Sequence, residues 1–312
     1  MYKVVQIMEE ILRLFPDDIK RIIDKQVGDW GQLQEIRFRL YKPVELIFNN
    51  QTTLLESVIP TKEDGIYLLN QLSQFSLYRM EDELREGYIT IEGGHRVGLA
   101  GKVNTLKGTV KAIQYITFFN IRIAKQMLGV SRSVLPHVYD QKNGTYFNTL
   151  IIGAPQTGKT TLIRDLARSI ASKSNTFPDK KVGMIDERSE IAASLNGIPQ
   201  HNVGVRSDVM DACPKAEGMM MMIRSMSPEI IIVDEIGSSQ DVHALLEAIH
   251  AGVTIFCTIH GQSITDLKRR PSLRPLFDQQ VFKRYVLLSQ KGAPVIQHVL
   301  DNEEKIMRRA LS

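Results

Sequence analysis

Polar and apolar residues alternate over Leu33-Gln34-Glu35-Ile36-Arg37-Phe38-Arg39-Leu40, which predicts a half-buried strand. Pro43-Val44-Glu45-Leu46-Ile47-Phe48 reads as its partner, with Asn49-Asn50 turning the chain. Two helices are expected upstream, over 3–14 and 16–26, the second started by Pro16. Thr61 stands where an N-cap would open a helix through Tyr78, and a short helix is expected near 81–86. Tyr88-Ile89-Thr90-Ile91, the Glu92-Gly93-Gly94 break and the run His95 to Val103 carry a hairpin signal. Strands over 110–116 and 118–124 complete a half that reads as an α+β unit.

From about residue 147 the rhythm becomes strand, helix, strand, helix. The runs 148–152, 182–186, 230–234 and 253–258 are almost continuously apolar, as parallel strands buried on both faces are. Short strands near 285–289 and 294–299 extend the sheet. The expected fold class is α/β, a mostly parallel sheet with helices on both faces, preceded by a smaller α+β domain. The domains are expected at 1–130 and 131–312, with the linker within 125–147, around Pro136 and Lys142-Asn143-Gly144. Met219-Met220-Met221-Met222 falls on the helix before the third core strand and covers every face of one turn. It fits adaptable core packing or a deformable interface.

The most specific chemistry is Gly153-Ala154-Pro155-Gln156-Thr157-Gly158-Lys159-Thr160, a complete Gly-x-x-x-x-Gly-Lys-Thr phosphate loop. It follows an apolar strand run and opens the helical run that begins at Thr161. Glycines let backbone N–H groups turn inward around an anion, and the helix N-terminus adds partial positive charge. Residues 153–161 are therefore the expected ATP-binding segment, with Lys159 reaching the β- and γ-phosphates and Thr160 ligating Mg²⁺. Glu229-Ile230-Ile231-Ile232-Val233-Asp234-Glu235 places two carboxylates at the end of a buried strand, on the edge where open α/β sheets hold ligands. Asp234 is expected to serve the Mg²⁺ and Glu235 to polarise an attacking water.

Ile185-Asp186-Glu187-Arg188-Ser189-Glu190 ends a second strand in acids on the same edge. Asp186, Glu187 and Glu190 are thus further catalytic candidates, and Glu187 competes with Glu235 as general base. Arg188 could equally pair with a neighbouring acid. Thr258-Ile259-His260-Gly261 follows a third core strand, so Thr258 or His260 could sense the γ-phosphate.

Composition narrows the setting without changing the chemistry. The chain has 312 residues, a 43% apolar fraction and a formal net charge of +4, too small a surplus to demand nucleic acid or an anionic membrane. Two cysteines, Cys213 and Cys257, make no disulfide framework or zinc motif, and Cys257 reads as a core thiol. No apolar run is long enough to span a membrane, and the N-terminal residues read as an amphipathic helix rather than a signal peptide. A cytoplasmic location is expected.

The phosphate loop, acidic box, Walker B segment Arg224 to Ile236 and histidine box 258–261, in that order, resemble the type II/type IV secretion ATPase superfamily. Asn120-Ile121-Arg122-Ile123-Ala124, Gly93-Gly94-His95-Arg96-Val97-Gly98 and Asp211-Ala212-Cys213-Pro214-Lys215-Ala216-Glu217-Gly218 resemble its sporulation branch. The resemblance implies a RecA-like core, a homo-hexamer, and ATP hydrolysis that energises a membrane-embedded channel or transport complex from the mother-cell side. It also implies that Arg96 and Arg122 reach a nucleotide across a subunit or domain interface, with Arg206 and Arg224 as weaker candidates. Many members have Gly-Glu where this chain has Asp234-Glu235, and the four-cysteine zinc module of some is absent. Two other classes stay open: a nucleic-acid-translocating ring, disfavoured by the small basic surplus, and a nucleotide-gated scaffold with little hydrolysis.

Overall fold

The computed structural model describes residues 2–49, 51–73, 84, 87–106, 108–174, 176–289 and 295–309. The chain forms two compact units, Met1–Lys125 and Gln126–Ser312.

In the first unit, helices Tyr2–Leu12 and Asp17–Gln26 precede strands β1 (Leu33–Arg39), β2 (Val44–Phe48) and β3 (Thr52–Leu55). A helix at Lys62–Ser73 leads to β4 (Tyr88–Thr90), β5 (Arg96–Leu106) and β6 (Thr109–Arg122). Thr61 caps that helix reciprocally: its hydroxyl accepts the Asp64 N–H at 3.4 Å, while Asp64 accepts the Thr61 N–H at 2.8 Å. The extension expected to Tyr78 lies outside the described residues, as does the helix near 81–86 apart from Leu84.

The six strands form one sheet in the order β3-β2-β1-β6-β5-β4. The alternation in β1 puts Ile36 and Phe38 into the core, and a register shift between Leu33 and Glu35 brings Leu33 to the same side; Phe38 packs 5.6 Å from Phe15 and 6.0 Å from Phe119 between ring centroids. Residues 109–122 form one strand, not the two expected, because β-bulges opposite β5 absorb the breaks in alternation that suggested a turn. His95 is wholly buried, with Nδ1 accepting the Ala124 N–H at 2.9 Å and Nε2 facing Glu10 at 3.1 Å. The proton is thereby placed on Nε2, and the Gly93-Gly94-His95 segment is explained by packing.

The second unit opens with a short helix at Leu135–Val138 and the small pair β7 (Tyr139–Asp140) and β8 (Thr145–Tyr146). Its main sheet contains β9 (Thr149–Gly153), β10 (Val182–Asp186), β11 (Ser207–Asp211), β12 (Ile230–Val233), β13 (Thr254–His260), β14 (Arg284–Leu288), β15 (Ile296–Asp301) and β16 (Ile306–Arg309). The order is β11-β10-β12-β13-β9-β14-β15-β16, parallel from β11 to β14 and antiparallel beyond. This is an α/β fold with a mixed sheet. The apolar runs that predicted β9, β10, β12 and β13 are buried at nearly every position. The strand β11 went unpredicted because Ser207-Asp208-Val209-Met210-Asp211 is half polar, which only a sheet edge tolerates.

Helices cover both faces of this sheet. Lys159–Ile170 packs against Ile151, Met184 and Ile232 on one side. Lys215–Met226 and Ser239–His250 pack against Ile185, Ile231, Val233 and Cys257 on the other. The methionine run divides by helical position. Met219 and Met222 are buried, each contributing about 1.5–3 kcal/mol of apolar burial, whereas Met221 is 49% exposed. Cys257 is a buried thiol, which burial pushes well above its usual range.

The start of this unit is tied to the helix Lys159–Ile170 through Asp165, which is 1% exposed. It accepts the Ser131 N–H at 2.8 Å, the Ser131 hydroxyl at 2.7 Å and Arg168 Nε at 2.8 Å. Burial alone would raise this carboxyl, but these donors outweigh it and hold it below the usual 3.8. A depressed carboxyl stabilises the fold above its unfolded value and loses that contribution as pH falls through its folded value. Asp165→Ala is therefore expected to cost about 3 kcal/mol in urea unfolding at pH 7, and the difference from the unaltered chain should shrink below pH 3.8. A difference that stays constant into acid would contradict this account.

Candidate functional site

Each central parallel strand brings a polar group to its C-terminal end, where open α/β sheets hold ligands. β9 leads into the phosphate loop, β10 ends at Asp186, β12 runs into Asp234-Glu235, and β13 ends at His260. The registers set Ile185 beside Val233 and His260 beside Gly153, so these ends form one edge.

The phosphate loop closes on itself. Gln156 and Gly158 take left-handed φ values of 62° and 86°. A Cβ at Gly153 would lie 2.4 Å from the Thr157 hydroxyl, so the approach requires glycine. The Thr157 hydroxyl donates to the Ala154 carbonyl at 2.8 Å, and the Lys159 ammonium donates to the same carbonyl at 3.0 Å. Pro155 and Gln156 are exposed at the tip, whereas Lys159 is only 5% exposed. The helix Lys159–Ile170 starts from Gly158 without a side-chain cap, which leaves its first N–H groups, including that of Thr161, for an anion.

Asp234 joins three elements. The Thr160 hydroxyl donates to its Oδ2 at 2.6 Å, and the buried Thr258 hydroxyl donates to its Oδ1. Thr258 Oγ1 also accepts the Glu235 N–H at 2.8 Å. Glu235 has φ 53°, a left-handed conformation costing about 1 kcal/mol for a residue with a Cβ. The Thr258 bond holds it there. Its carboxylate lies 3.9 Å from Lys159 Nζ and 3.2 Å from Arg188 Nη1. A hydroxyl and a carboxylate meeting behind a phosphate loop are hard oxygen donors of the kind Mg²⁺ uses alongside phosphates and water. Among the described residues, no three His, Cys, Asp or Glu side chains gather into a cage that would hold a metal without a nucleotide.

The acidic box divides its labour. Asp186 is 2% exposed and accepts the N–H groups of Glu190 and Ala192, each at 2.8 Å. Burial pushes its carboxyl up, against the pull of these N–H groups. It anchors the loop that follows β10. Arg164, buried in the phosphate-loop helix, binds the carbonyls of Glu190 and Ile191 at 2.5 Å each. The Glu187 carboxylate pairs with the Lys215 ammonium, and Ser189 donates to Asp211 at 2.6 Å. Asp186, Glu187, Arg188, Glu190, Lys215, Asp234 and Glu235 line one cleft.

His260 is exposed at the end of β13, and the next N–H, of Gly261, donates to the Gly153 carbonyl at 3.3 Å. In the first unit, Arg96 and Arg122 are register partners on the polar face, with the Arg96 guanidinium 4.8 Å from the Tyr88 ring centroid. Arg206 is paired with Asp179 at 2.8 Å, and Arg224 donates to its own helix at Met220 O, 3.1 Å away. Two contributors were not anticipated. Arg164 is a charge on the buried side of its helix, a pattern that could have marked it. The pairing of Lys215 left no sequence signal, because its partner comes from a strand end twenty-eight residues earlier.

This edge, with its loop, carboxylates and threonines, belongs to an α/β fold shared with secretion ATPases. The ATPase DotB of Legionella pneumophila superposes with a TM-score of 0.61 at 13% identity, covering 94% of this chain and 82% of that one. The pilus retraction motor PilT, solved with bound ADP, gives 0.62 at 15% identity over 94% and 83%. Within that fold the chain belongs to the sporulation stage III, protein AA family, whose model matches residues 5–307. Stage III sporulation protein AA of Bacillus subtilis (strain 168) is 51% identical over 305 residues, covering 97% of this chain and 98% of that protein. Among the described residues, no helix is long and apolar enough to cross a membrane.

Because Thr258 satisfies both Asp234 and the Glu235 N–H, Thr258→Val keeps the shape but leaves two polar groups unpaired. The expected cost is about 2 kcal/mol in urea unfolding, with Thr258→Ser restoring most of it. Equal stability of the valine and serine variants would remove Thr258 from this role.

Proposed function

We propose that the chain is a Mg²⁺-dependent ATPase motor, hydrolysing ATP to ADP and phosphate to energise a membrane channel or transport complex in endospore formation. The observation that carries this reading is the meeting of Thr160 and Asp234 at 2.6 Å, with Glu235 3.9 Å from Lys159 Nζ. Loop 153–160 and the Thr161 N–H would hold the phosphates, with Lys159 turning from Ala154 and Glu235 towards them. Thr160 and Asp234 would hold Mg²⁺, which when bound neutralises charge on the phosphate oxygens.

Glu235 is the better general base. It stands 3.9 Å from the lysine that would meet the γ-phosphate, and its other partner, Arg188, is an exposed side chain, whereas Glu187 is paired with Lys215. Asp186 acts through the loop it holds in place, in which Glu190 is bound by its backbone N–H and carbonyl. His260, at the strand end beside Gly153, would register the nucleotide state, and its strand neighbour Thr258 would pass that state to Asp234 and Glu235. The core is read as RecA-like and the assembly as a homo-hexamer. From a neighbouring subunit, Arg96 and Arg122 would complete the charge on the transferred phosphate. The protein would act in the cytoplasm at the membrane.

Glu235→Gln is expected to retain ATP while kcat falls about 10²–10⁴-fold, and Glu187→Gln to lose less. Lys159→Ala should lose nucleotide binding itself, read by equilibrium titration with a fluorescent ATP analogue. Full turnover by Glu235→Gln, or polynucleotide-stimulated hydrolysis with salt-sensitive binding, would overturn the assignment.

A further inference from the structure

The charge surplus of the chain is small, but it is unevenly spread. Between Glu92 and Asp140 the sequence has no aspartate or glutamate, where the chain's own acid content would place about five. The same stretch holds Arg96, Lys102, Lys111 and Arg122. It folds into β5 and β6, which pair from Arg96 and Arg122 out to Leu106 and Thr109. The pairing of β4 with β5 ends at Gly98, and that of β1 with β6 ends at Phe118. From Gly101 and Ile116 onward the two strands have only each other as strand partners among the described residues. They run on from the sheet of the first unit as a two-stranded ribbon.

The ribbon is held to one shape. Its register slips at Ala100/Gly101, at Lys102/Val103 and at Asn104/Thr105, and each slip places an extra residue in β6. Such bulges tighten the twist of a strand pair. A Cβ at Gly101 would overlap the Tyr115 carbonyl oxygen, so the first slip requires glycine. Ile113 and Ile116 turn towards the core of the first unit. Around them Tyr115 is 59% exposed, Val110 48%, Val103 44% and Phe118 41%. Lone exposed apolar residues are ordinary, but four on one strand pair form a patch. By register, Tyr115 and Phe118 share a face with Lys102, and Val103 and Val110 share the other.

The cations of the ribbon are not matched within the chain. Lys102 and Lys111 are exposed, and among the described residues neither pairs with a carboxylate. The Lys102 ammonium lies 5.9 Å from the Tyr115 ring centroid. At the base of the ribbon, Glu35 and Glu45 are paired with Arg37 at 2.9 Å and Arg39 at 2.7 Å. This combination selects the partner. A second copy would set lysine against lysine, which is how edges are kept from pairing with themselves. Single-stranded nucleic acid needs bare rings for its bases to stack on, whereas the valines offer none and Tyr115 already faces Lys102. Apolar groups on both faces, with lysine stems beside them, suit an anionic lipid surface. The apolar groups enter the acyl boundary while the ammonium groups stay at the phosphates.

We infer that the β5–β6 ribbon docks the protein onto an anionic lipid bilayer, with Val103, Val110 and Tyr115 entering the headgroup layer and Lys102 and Lys111 on the phosphates. This rests on the reading that the protein acts at a membrane, and not on hydrolysis. It gives the chain a contact with the lipid itself, separate from any membrane-embedded protein.

The test is flotation of the full chain with vesicles of phosphatidylcholine, alone or with about one-third phosphatidylglycerol. The chain should float with the anionic vesicles only, and release as salt rises. A lysine at such a surface is worth about fivefold in binding, so Lys102→Gln with Lys111→Gln should weaken it about thirtyfold. Melting temperature and nucleotide binding should stay unchanged, since both lysines are exposed. Val110→Ser with Tyr115→Ser should weaken flotation at constant charge. Tyr115→Trp should shift its emission to the blue on anionic vesicles, against a constant background from the buried Trp30. An unaltered chain that ignores anionic vesicles, or a lysine variant that floats as it does, overturns the lipid contact and leaves the ATPase reading standing. Loss in the lysine variant with neither a blue shift nor any loss in the serine variant overturns entry of the ribbon into the bilayer. Displacement of the vesicles by single-stranded DNA or polyglutamate bound through the same lysines assigns the ribbon to that partner and overturns the proposal. Vesicle binding by a chain that hydrolyses no ATP keeps the lipid contact and overturns the motor reading alone.

Discussion

The carboxylate of Asp234 is the point on which the rest of the site depends. One oxygen takes the Thr160 hydroxyl from the phosphate-loop helix, and the other takes the Thr258 hydroxyl from the neighbouring strand. Thr258 then holds the Glu235 backbone in a left-handed turn that would otherwise relax. Three elements far apart in sequence are locked at their ends by one acid. The desolvation this entails is offset because both oxygens are hydrogen-bonded.

Around that node the parallel sheet converts sequence order into proximity. The glycine-rich loop, the acids from Asp186 to Glu190 and the pair Asp234-Glu235 follow β9, β10 and β12, and a parallel sheet turns all these strand ends to one edge. The helices on the two faces have different duties. Lys159–Ile170 carries the loop and, through Arg164, the backbone of the acidic box. Lys215–Met226 opens with the lysine that pairs with Glu187, whereas Glu235 faces Lys159 and Arg188, so the two carboxylates, equivalent as sequence, have different partners in the structure.

The sequence legibility of this protein follows burial. Strands β9, β10, β12 and β13 could be read because parallel strands covered on both faces must be apolar throughout. Edge strands β11 and β16 could not, since one unpaired side relaxes the composition rule. The long strand Thr109–Arg122 was read as two because its bulges shift the alternation, and a bulge is defined by the partner strand. The helix at Lys62–Ser73 could be read at its start because a capping box is local chemistry.

That the chain forms an α/β fold, and that Lys159, Thr160 and Asp234 stand at strand ends in it, was legible in the sequence alone, because a Gly-rich turn between strand and helix, and acids after an apolar run, are short-range patterns. The burial of Asp186, the pairing of Glu187 with Lys215 and of Glu235 with Arg188, and the support from Arg164 and Thr258 were decided only by tertiary structure. Each depends on which side chains converge from separate strand ends. That convergence is set by sheet order and register, and no local sequence pattern encodes it.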